Sequence, residues 1–247
     1  MSTSRTEFGV SNGVMTIPVT LWRPDTSDTP RPLLLVHDGP EYDQRCGLIG
    51  KVAGWAADGQ ISPYTVALLA PDDVDNRYRL MHYGASEEYR HLLAEQLLPE
   101  ITRRAPTEGP IVGMGASMGA LAMLHAADNF DALFLQSASI HHADYGDEAN
   151  YQASYNEYPQ VKEFVEKARH NLTDAKRLHI EMTCGNEPNY EGNKALFYIL
   201  REQGHTMTGG PVMGGHSYEA WGAAFEPYLR DLLLAATSLR HTTRDSA

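Results

Sequence analysis

The segment 111–123 constrains the fold of this chain more than any other part of its sequence. A short apolar stretch leads into Gly115-Ala116-Ser117-Met118-Gly119, and a second apolar stretch follows. This order predicts a buried strand, a tight turn at Ser117 and then a helix. Because Gly115 and Gly119 carry no Cβ atom, strand and helix can approach closely while Ser117 holds an unfavourable backbone conformation. We therefore expect the Ser117 hydroxyl to be exposed on the turn, where it can act as a nucleophile.

Similar glycine patterns occur in other motifs. A dinucleotide-binding turn needs Gly-x-Gly-x-x-Gly, but the third glycine position after Gly113 and Gly115 is occupied by Met118. No Gly-Lys-Ser or Gly-Lys-Thr follows, so a phosphate-binding loop is not predicted. The remaining alternative is a glycine-rich turn that packs a helix on a sheet, with Ser117 incidental.

Composition excludes several classes of function. The chain has 247 residues, of which 42% are hydrophobic and 21% charged, as in a single soluble α/β domain. Its net charge of −12 disfavours nucleic acid and anionic membranes as partners. The polar N-terminus and the lack of any apolar run near roughly 18 residues predict a cytoplasmic protein without a membrane span. Cys46 and Cys184 could form a disulfide, but they fit a reducing compartment equally well as buried small side chains.

Strand-like and helix-like patterns alternate along the chain. Apolar or alternating runs predict strands at 14–22, 33–37, 65–70, 111–114, 132–136 and 178–183. Helical periodicity lies between them, from a Ser86 cap to Ile101, at 118–127, 161–168 and 193–203, and from about Tyr218 to Leu233. Pro18 indicates that the first strand lies at an edge. The alternation predicts a mainly parallel central sheet flanked by helices on both faces, in one domain over 1–240 with a disordered polar tail at 241–247.

Reactive side chains follow the carboxyl ends of these strands, where open α/β sheets bind their ligands. Ser117, an acid and His216 occur in the chain order nucleophile, acid, base. His216 follows a short predicted strand at 211–215 and is the candidate base, with a surface histidine as the alternative. Glu187 lies closest to the end of its strand and is the candidate acid that orients His216. Glu191, which could equally begin the next helix, and other carboxylates such as Asp174 stay open as alternatives.

Further residues are candidates for contact with a substrate. They are Asp38, Pro40, Arg79, Tyr83, His141 and Trp221. A solvated loop is an equally good interpretation of 75–83, and the four tyrosines of 144–158 could form a pocket wall or simply cover the sheet. Adjacent His141 and His142 with Asp144 could suggest a metal, but neighbouring histidines rarely bind one ion together. We predict neither a metal nor another cofactor.

Together these motifs resemble the esterase family of α/β hydrolases, which includes enterochelin esterases, esterase D-like enzymes and mycolyltransferases. The resemblance extends from about Pro32 to Leu233, and its motifs lie at 34–39, 97–101, 113–121, 135–139, 185–196 and 214–221. It implies an α/β-hydrolase fold and a carboxylic ester hydrolase that forms an acyl-enzyme, with Ser117 as nucleophile, Glu187 as acid and His216 as base. The expected partner is a small-molecule ester, either siderophore-like or smaller and neutral. A homodimer is a further expectation.

The resemblance also implies an oxyanion hole. One donor is the backbone N–H of Met118, and the other normally comes from the residue after Asp38-Gly39. In this chain that residue is Pro40, which has no N–H. Either Glu41 or Gly39 supplies the second donor, or the rate falls by about two to three orders of magnitude. The alternative functions are therefore a weak or inactive ligand-binding protein with this fold, and an acyltransferase.

Overall fold

The structure, a computed structural model, describes residues 3–70, 77–140 and 159–244, and its strands form one sheet. The strands are β1 (Ser4–Ser11), β2 (Thr16–Arg23), β3 (Arg31–His37), β4 (Thr65–Leu69), β5 (Thr107–Ala116), β6 (Ala132–Gln136), β7 (His179–Cys184) and β8 (Thr206–Pro211). Their order is β1-β2-β4-β3-β5-β6-β7-β8. β2 is antiparallel to β1 and β4, and every pair from β4 to β8 is parallel. The prediction of a mainly parallel sheet is confirmed.

Helices connect the strands. They are α1 (Gly39–Cys46), α2 (Leu48–Ala57), α3 (Arg77–Tyr83), α4 (Glu87–Leu92), α5 (Leu98–Arg104), α6 (Met118–His125), α7 (Pro159–His170), α8 (Tyr190–Glu202), α9 (Tyr218–Ala223) and α10 (Arg230–Arg244). Turns with π-helical hydrogen bonding join α4 to α5 and α9 to α10. The Ser86 hydroxyl caps α4 by accepting from the Tyr89 N–H at 3.2 Å, as the sequence predicts.

Two hydrophobic clusters, one on each face of the sheet, hold the helices. In β3, Leu33 and Leu35 belong to one cluster, whereas Leu34 and Val36 belong to the other, and all four are fully buried. Successive side chains of a strand point to opposite faces, so a strand covered on both sides must be apolar at every position. Burying each such side chain contributes about 1.5–3 kcal/mol. The first cluster packs α3 to α8, and the second packs α1, α2, α9 and α10.

Three features of the fold differ from the expectations drawn from the sequence. β2 is not an edge strand, because β1 pairs along the side opposite to β4. Pro18 is tolerated because the pairing with β4 stops at the next residue, Val19. The strand expected at 211–215 ends at Pro211, and Gly214 has a positive φ of 108°. Helix α10 runs to Arg244, past the expected start of a disordered tail at 241. Residues 245–247 lie outside the described residues.

Neither cysteine is in a disulfide. Cys46 is a half-buried free thiol and Cys184 a buried one. Among the residues that the structure describes, no helix has the length and apolar character needed to cross a membrane.

The turn between β5 and α6 brings two backbones into direct contact. A Cβ atom built on Gly115 would lie 2.6 Å from the carbonyl carbon of Gly119. Ser117, between them, has φ 55° and ψ −124°, a conformation that L-residues rarely adopt. The close approach expected from the two glycines is therefore confirmed.

A methyl group at Gly115 should destabilise the fold. Because the added Cβ would overlap backbone that cannot move alone, we expect Gly115→Ala to lower the free energy of unfolding by about 2 kcal/mol. The matched control is Gly50→Ala in α2, where a Cβ would meet no atom within 4 Å. Gly50→Ala should raise stability by about 0.5–1 kcal/mol. Urea unfolding of both variants checks this, and equal effects would contradict the packing argument.

Candidate active site

The backbone of β6 supports the turn that carries Ser117. The Ser117 N–H donates to the Gln136 carbonyl at 2.9 Å, and the Ser139 N–H donates to the Ser117 carbonyl at 3.1 Å. These bonds help hold the positive φ of Ser117. The Ser117 and Ser139 hydroxyls are hydrogen-bonded at 3.2 Å. The turn thus places Ser117 at the carboxyl edge of the sheet, where the residue is half-buried and not fully exposed as expected from the sequence.

Glu187 and His216 form a hydrogen-bonded pair. Glu187 Oε2 accepts from His216 Nδ1. A carboxylate can only accept, so Nδ1 carries the proton and Nε2 is left as the nitrogen able to take another. The Glu187 side chain is 4% exposed and that of His216 is 43% exposed. The carboxylate is therefore enclosed while the imidazole faces solvent.

No hydrogen bond joins the described side chains of Ser117 and His216; the Ser117 hydroxyl is directed to Ser139 instead. Such bonds are often long or absent before a substrate binds. The arrangement still places the Ser117 hydroxyl after β5 and the carboxylate–imidazole pair after β7 and β8, at the same edge of the sheet.

Hydrogen bonds keep Glu187 ionised. Its Oε1 accepts from the Ser137 hydroxyl, from the Gly185 N–H at 3.2 Å and from Cys184 Sγ at 3.4 Å. Burial by itself disfavours the charged carboxylate, but the hydrogen bonds from His216 and Ser137 outweigh it and lower the pKa of Glu187 to about 2. Glu187 is thus a carboxylate at every physiological pH.

The alternative acids lie elsewhere. Glu191 is in the first turn of α8, where its side chain is 59% exposed and paired with Lys194 at 3.4 Å. Asp174 accepts from the Asn171 side chain in an exposed turn. Of the three carboxylates considered from the sequence, Glu187 is the one that contacts His216.

Trp221, expected to contact a substrate, lies behind the acid and the base. Its indole N–H donates to the Ser137 hydroxyl at 3.1 Å. Its ring meets the His216 imidazole edge-on, with centroids 5.0 Å apart and planes at 80°. Ser137 and Ser139 were assigned no role from the sequence, although both follow a predicted strand at its carboxyl end. Their position after the carboxyl end of a predicted strand is the sequence signal that could have identified them.

Asp38 and Arg79 form an ion pair beside the Ser117 turn. Arg79 Nη2 lies 2.7 Å from Asp38 Oδ2, and Arg79 Nε lies 3.0 Å from Asp38 Oδ1. Burial alone would lower the pKa of Arg79, but hydrogen bonding and charge from Asp38 raise it above its ordinary value. A Cβ on Gly119 would lie 3.2 Å from Asp38 Oδ2, which places this pair against the first turn of α6.

Tyr83, another candidate for substrate contact, is buried under the turn. It stacks on His37 with ring centroids 4.4 Å apart. His37 Nδ1 lies 2.9 Å from the Gly119 carbonyl, which can only accept, so Nδ1 donates and Nε2 accepts from the Tyr89 hydroxyl at 2.6 Å. Burial lowers the pKa of His37 to about 4, so it is neutral at pH 7. His37 and Tyr83 thus support α6 from below.

Backbone N–H groups without an acceptor in their own helix lie at two helix starts. Met118 is the first residue of α6, so its N–H has no acceptor within the helix. Gly39, Pro40 and Glu41 form the first turn of α1. Gly39 packs so tightly that a Cβ would lie 2.5 Å from Leu68 Cα. Since Pro40 has no N–H, Gly39 and Glu41 carry the N–H groups of this turn.

Two expectations concern residues 141–158. His141, a candidate for substrate contact, and the His141–Asp144 region lie outside the described residues. Within the described part of the chain, no group of three or more His, Cys, Asp or Glu side chains is placed to hold a metal ion.

The sheet order, the turn at Ser117 and the acid–imidazole pair at the strand ends define an α/β-hydrolase fold. The chain belongs to the family described as "Putative esterase", whose sequence model matches residues 11–232. A comparison with curated protein sequences found no match to the chain.

Solved structures share this fold. The enterobactin esterase FES of Shigella flexneri, crystallised in the presence of 2,3-dihydroxy-N-benzoyl-glycine, aligns with a TM-score of 0.74 and 21% identity over 94% of this chain and 59% of that chain. A ferulic acid esterase aligns with a TM-score of 0.71 and 15% identity over 96% and 99% of the two chains. The BES protein of Bacillus cereus aligns with a TM-score of 0.69 and 16% identity over 95% and 96%. The chain therefore spans less than two thirds of FES.

The low pKa of Glu187 predicts a loss of stability in acid. The folded-state pKa of about 2 lies below the ordinary value of 4.5, so the stabilisation is complete above pH 4.5 and disappears as the pH falls towards 2. We expect the excess stability of the wild type over Glu187→Gln to shrink by about 2 kcal/mol between pH 5 and pH 3. Urea unfolding at intermediate pH values measures it. The control is Glu191→Gln, at an exposed carboxylate that does not contact His216, and a constant difference for Glu187→Gln would contradict the ion pairing of Glu187.

Proposed function

We propose that the protein is a serine hydrolase that cleaves a small-molecule carboxylic ester through an acyl-enzyme. The hydrogen bond between Glu187 and His216, at the same carboxyl edge of the sheet as the strained turn of Ser117, carries the proposal. In this proposal Ser117 is the nucleophile, His216 the general base and Glu187 the acid that orients the imidazole. Membership of the esterase family supports the reaction class.

The reaction has two halves. Ser117 Oγ attacks the ester carbonyl and its proton passes to His216 Nε2, while ionised Glu187 stabilises the imidazolium. The tetrahedral intermediate collapses, His216 protonates the leaving alkoxide, and an acyl-Ser117 remains. Water then attacks this ester with His216 as base, which releases the carboxylic acid and restores Ser117. For the first step, the Ser117 hydroxyl must turn from Ser139 to His216.

A small ester fits the chain's charge better than a ferric siderophore complex does. The net charge of −12 offers no general attraction for a strongly anionic ligand. FES and the hydrolase IroE are named for siderophores, which keeps a siderophore ester among the candidates. We therefore place a compact or neutral ester first and a siderophore ester second.

Replacement of Ser117 should abolish both labelling and turnover. A fluorophosphonate probe should react with the wild type and not with Ser117→Ala, because the probe needs the activated hydroxyl. Hydrolysis of short p-nitrophenyl esters should fall by about three orders of magnitude or more in Ser117→Ala, since removal of any triad member is severe. A cyclic trilactone siderophore assayed beside these esters ranks the two substrate classes.

Two outcomes would reject the assignment. Equal labelling of the wild type and Ser117→Ala would exclude Ser117 as the nucleophile. Thermal stabilisation by an ester without turnover across the panel would favour the alternative of a ligand-binding protein with an impaired oxyanion hole.

We also propose that the first turn of α1 supplies the second oxyanion donor, from Gly39 or Glu41. Pro40 lies between these two N–H groups. If one of them already binds the oxyanion, Pro40→Ala adds a donor that is not needed, and kcat/KM should stay within about threefold of the wild type. Steady-state kinetics on a p-nitrophenyl ester test this. An increase of about a hundredfold would mean instead that the wild type lacks the second donor.

A further inference from the structure

Ser137 has no role in the proposed reaction, yet it contacts the proposed acid directly. It follows the last residue of β6, is 1% exposed and has a positive φ of 48°. A non-glycine residue in this conformation costs free energy, and such residues concentrate at functional sites. Its backbone is held at both ends, because its N–H donates to the Thr183 carbonyl at 2.8 Å and its carbonyl accepts from Asn189 Nδ2 at 3.1 Å.

The direction of each hydrogen bond through the Ser137 hydroxyl is determined by chemistry. The Trp221 indole N–H can only donate, so Ser137 Oγ accepts from it. The Glu187 carboxylate can only accept, so the hydroxyl proton of Ser137 points to Glu187 Oε1. Donation therefore runs from Trp221 to Ser137 to Glu187 Oε1, while Glu187 Oε2 accepts a separate hydrogen bond from His216 Nδ1.

Trp221 is itself fixed from behind. Its carbonyl accepts from Gln136 Nε2 at 3.0 Å, and Gln136 Oε1 accepts from the Tyr42 hydroxyl at 2.9 Å. Gln136 and Tyr42 are fully buried, and Trp221 is 6% exposed. Buried polar groups with all partners present make a rigid arrangement. The same indole also packs edge-on against His216, so one side chain positions both members of the acid–base pair.

We propose that Ser137 and Trp221 are positioning residues that clamp the Glu187 carboxylate so that Oε2 faces His216. The inference rests on the proposed function, since it assigns a role to residues that act through Glu187 and His216. With Oε1 occupied by the Ser137 hydroxyl, rotation of the carboxylate would break two hydrogen bonds at once. The hydrogen bond from the Ser137 hydroxyl also stabilises the negative charge of the carboxylate, so the carboxylate attracts the imidazole proton less strongly.

Removal of the Ser137 hydroxyl should change both the rate and its pH dependence. A carboxylate that has lost one donor is more basic and binds the imidazolium more strongly. The acid limb of kcat/KM, which reports the free enzyme's base, should therefore move to higher pH by roughly 0.3–0.5 unit. The turnover number should fall by about tenfold, the equivalent of one hydrogen bond, while KM changes little.

The experiment compares Ser137→Gly, Trp221→Phe and Trp55→Phe with the wild type. Glycine at 137 removes the hydroxyl and tolerates the positive φ without strain, so no steric strain is added to the backbone. Trp221→Phe removes the indole donor and should shift the acid limb in the same direction by a smaller amount. Trp55→Phe is the matched control, because Trp55 donates its own indole N–H to Glu226 Oε1 at 2.7 Å, away from the catalytic residues.

The readouts are kcat, KM, the pH profile of kcat/KM and the melting temperature. A lower kcat with a shifted acid limb in Ser137→Gly and Trp221→Phe, but not in Trp55→Phe, supports the clamp. A wild-type rate and profile in Ser137→Gly would overturn it, and so would a lower rate without a shift of the limb, which is a structural effect. If Ser137→Gly does not fold, Trp221→Phe decides by the same criteria. Wild-type turnover that persists in Ser117→Ala would instead reject the proposed function.

Discussion

The contact between the backbones of Gly115 and Gly119 is the constraint on which the rest of the site depends. It lets β5 run directly into α6 with no connecting loop, and the single residue that makes the turn must adopt φ 55°. Ser117 therefore stands at the edge of the sheet at the start of a helix. There the first N–H groups of α6 have no acceptor within the helix, and in the proposed reaction they stabilise the charge that forms on the carbonyl oxygen. The hydrogen bonds from β6 and the buried His37 brace this turn from two sides.

A positive φ at a non-glycine residue also occurs where the strands on either side of β5 end. Asp38 after β3, Ser117 after β5 and Ser137 after β6 have φ values of 50°, 55° and 48°, although none is glycine. Each is the residue at which a parallel strand of the central sheet stops and the chain turns across its edge. The strain is balanced by specific contacts: an ion pair with Arg79, backbone bonds from β6, and the hydrogen bonds of Ser137 to Trp221 and Glu187. Strained residues on three adjacent strands mark the site from the backbone alone.

Much of this architecture follows from sequence patterns. Apolar runs predict the parallel strands because both sheet faces are covered, and the Gly-x-Ser-x-Gly motif predicts the turn because few other residues permit so close an approach. Two features were not predictable in this way. β1 is a polar segment whose pairing with β2 removes Pro18 from the edge, and α1 begins with glycine and proline, residues of low helix propensity away from a first turn.

The sequence by itself determined that the central strands alternate with helices and that a tight turn lies at Ser117, since both depend on local residue patterns. Only the tertiary structure decided which carboxylate meets His216. Glu187 and Glu191 are four positions apart and chemically equivalent, and the burial of one beside Ser137, with exposure of the other on α8, separates them. It also placed Trp221, a candidate for substrate contact, against both Ser137 and His216. Such pairings join residues distant along the chain, so they depend on how the strands and helices pack, which local patterns do not encode.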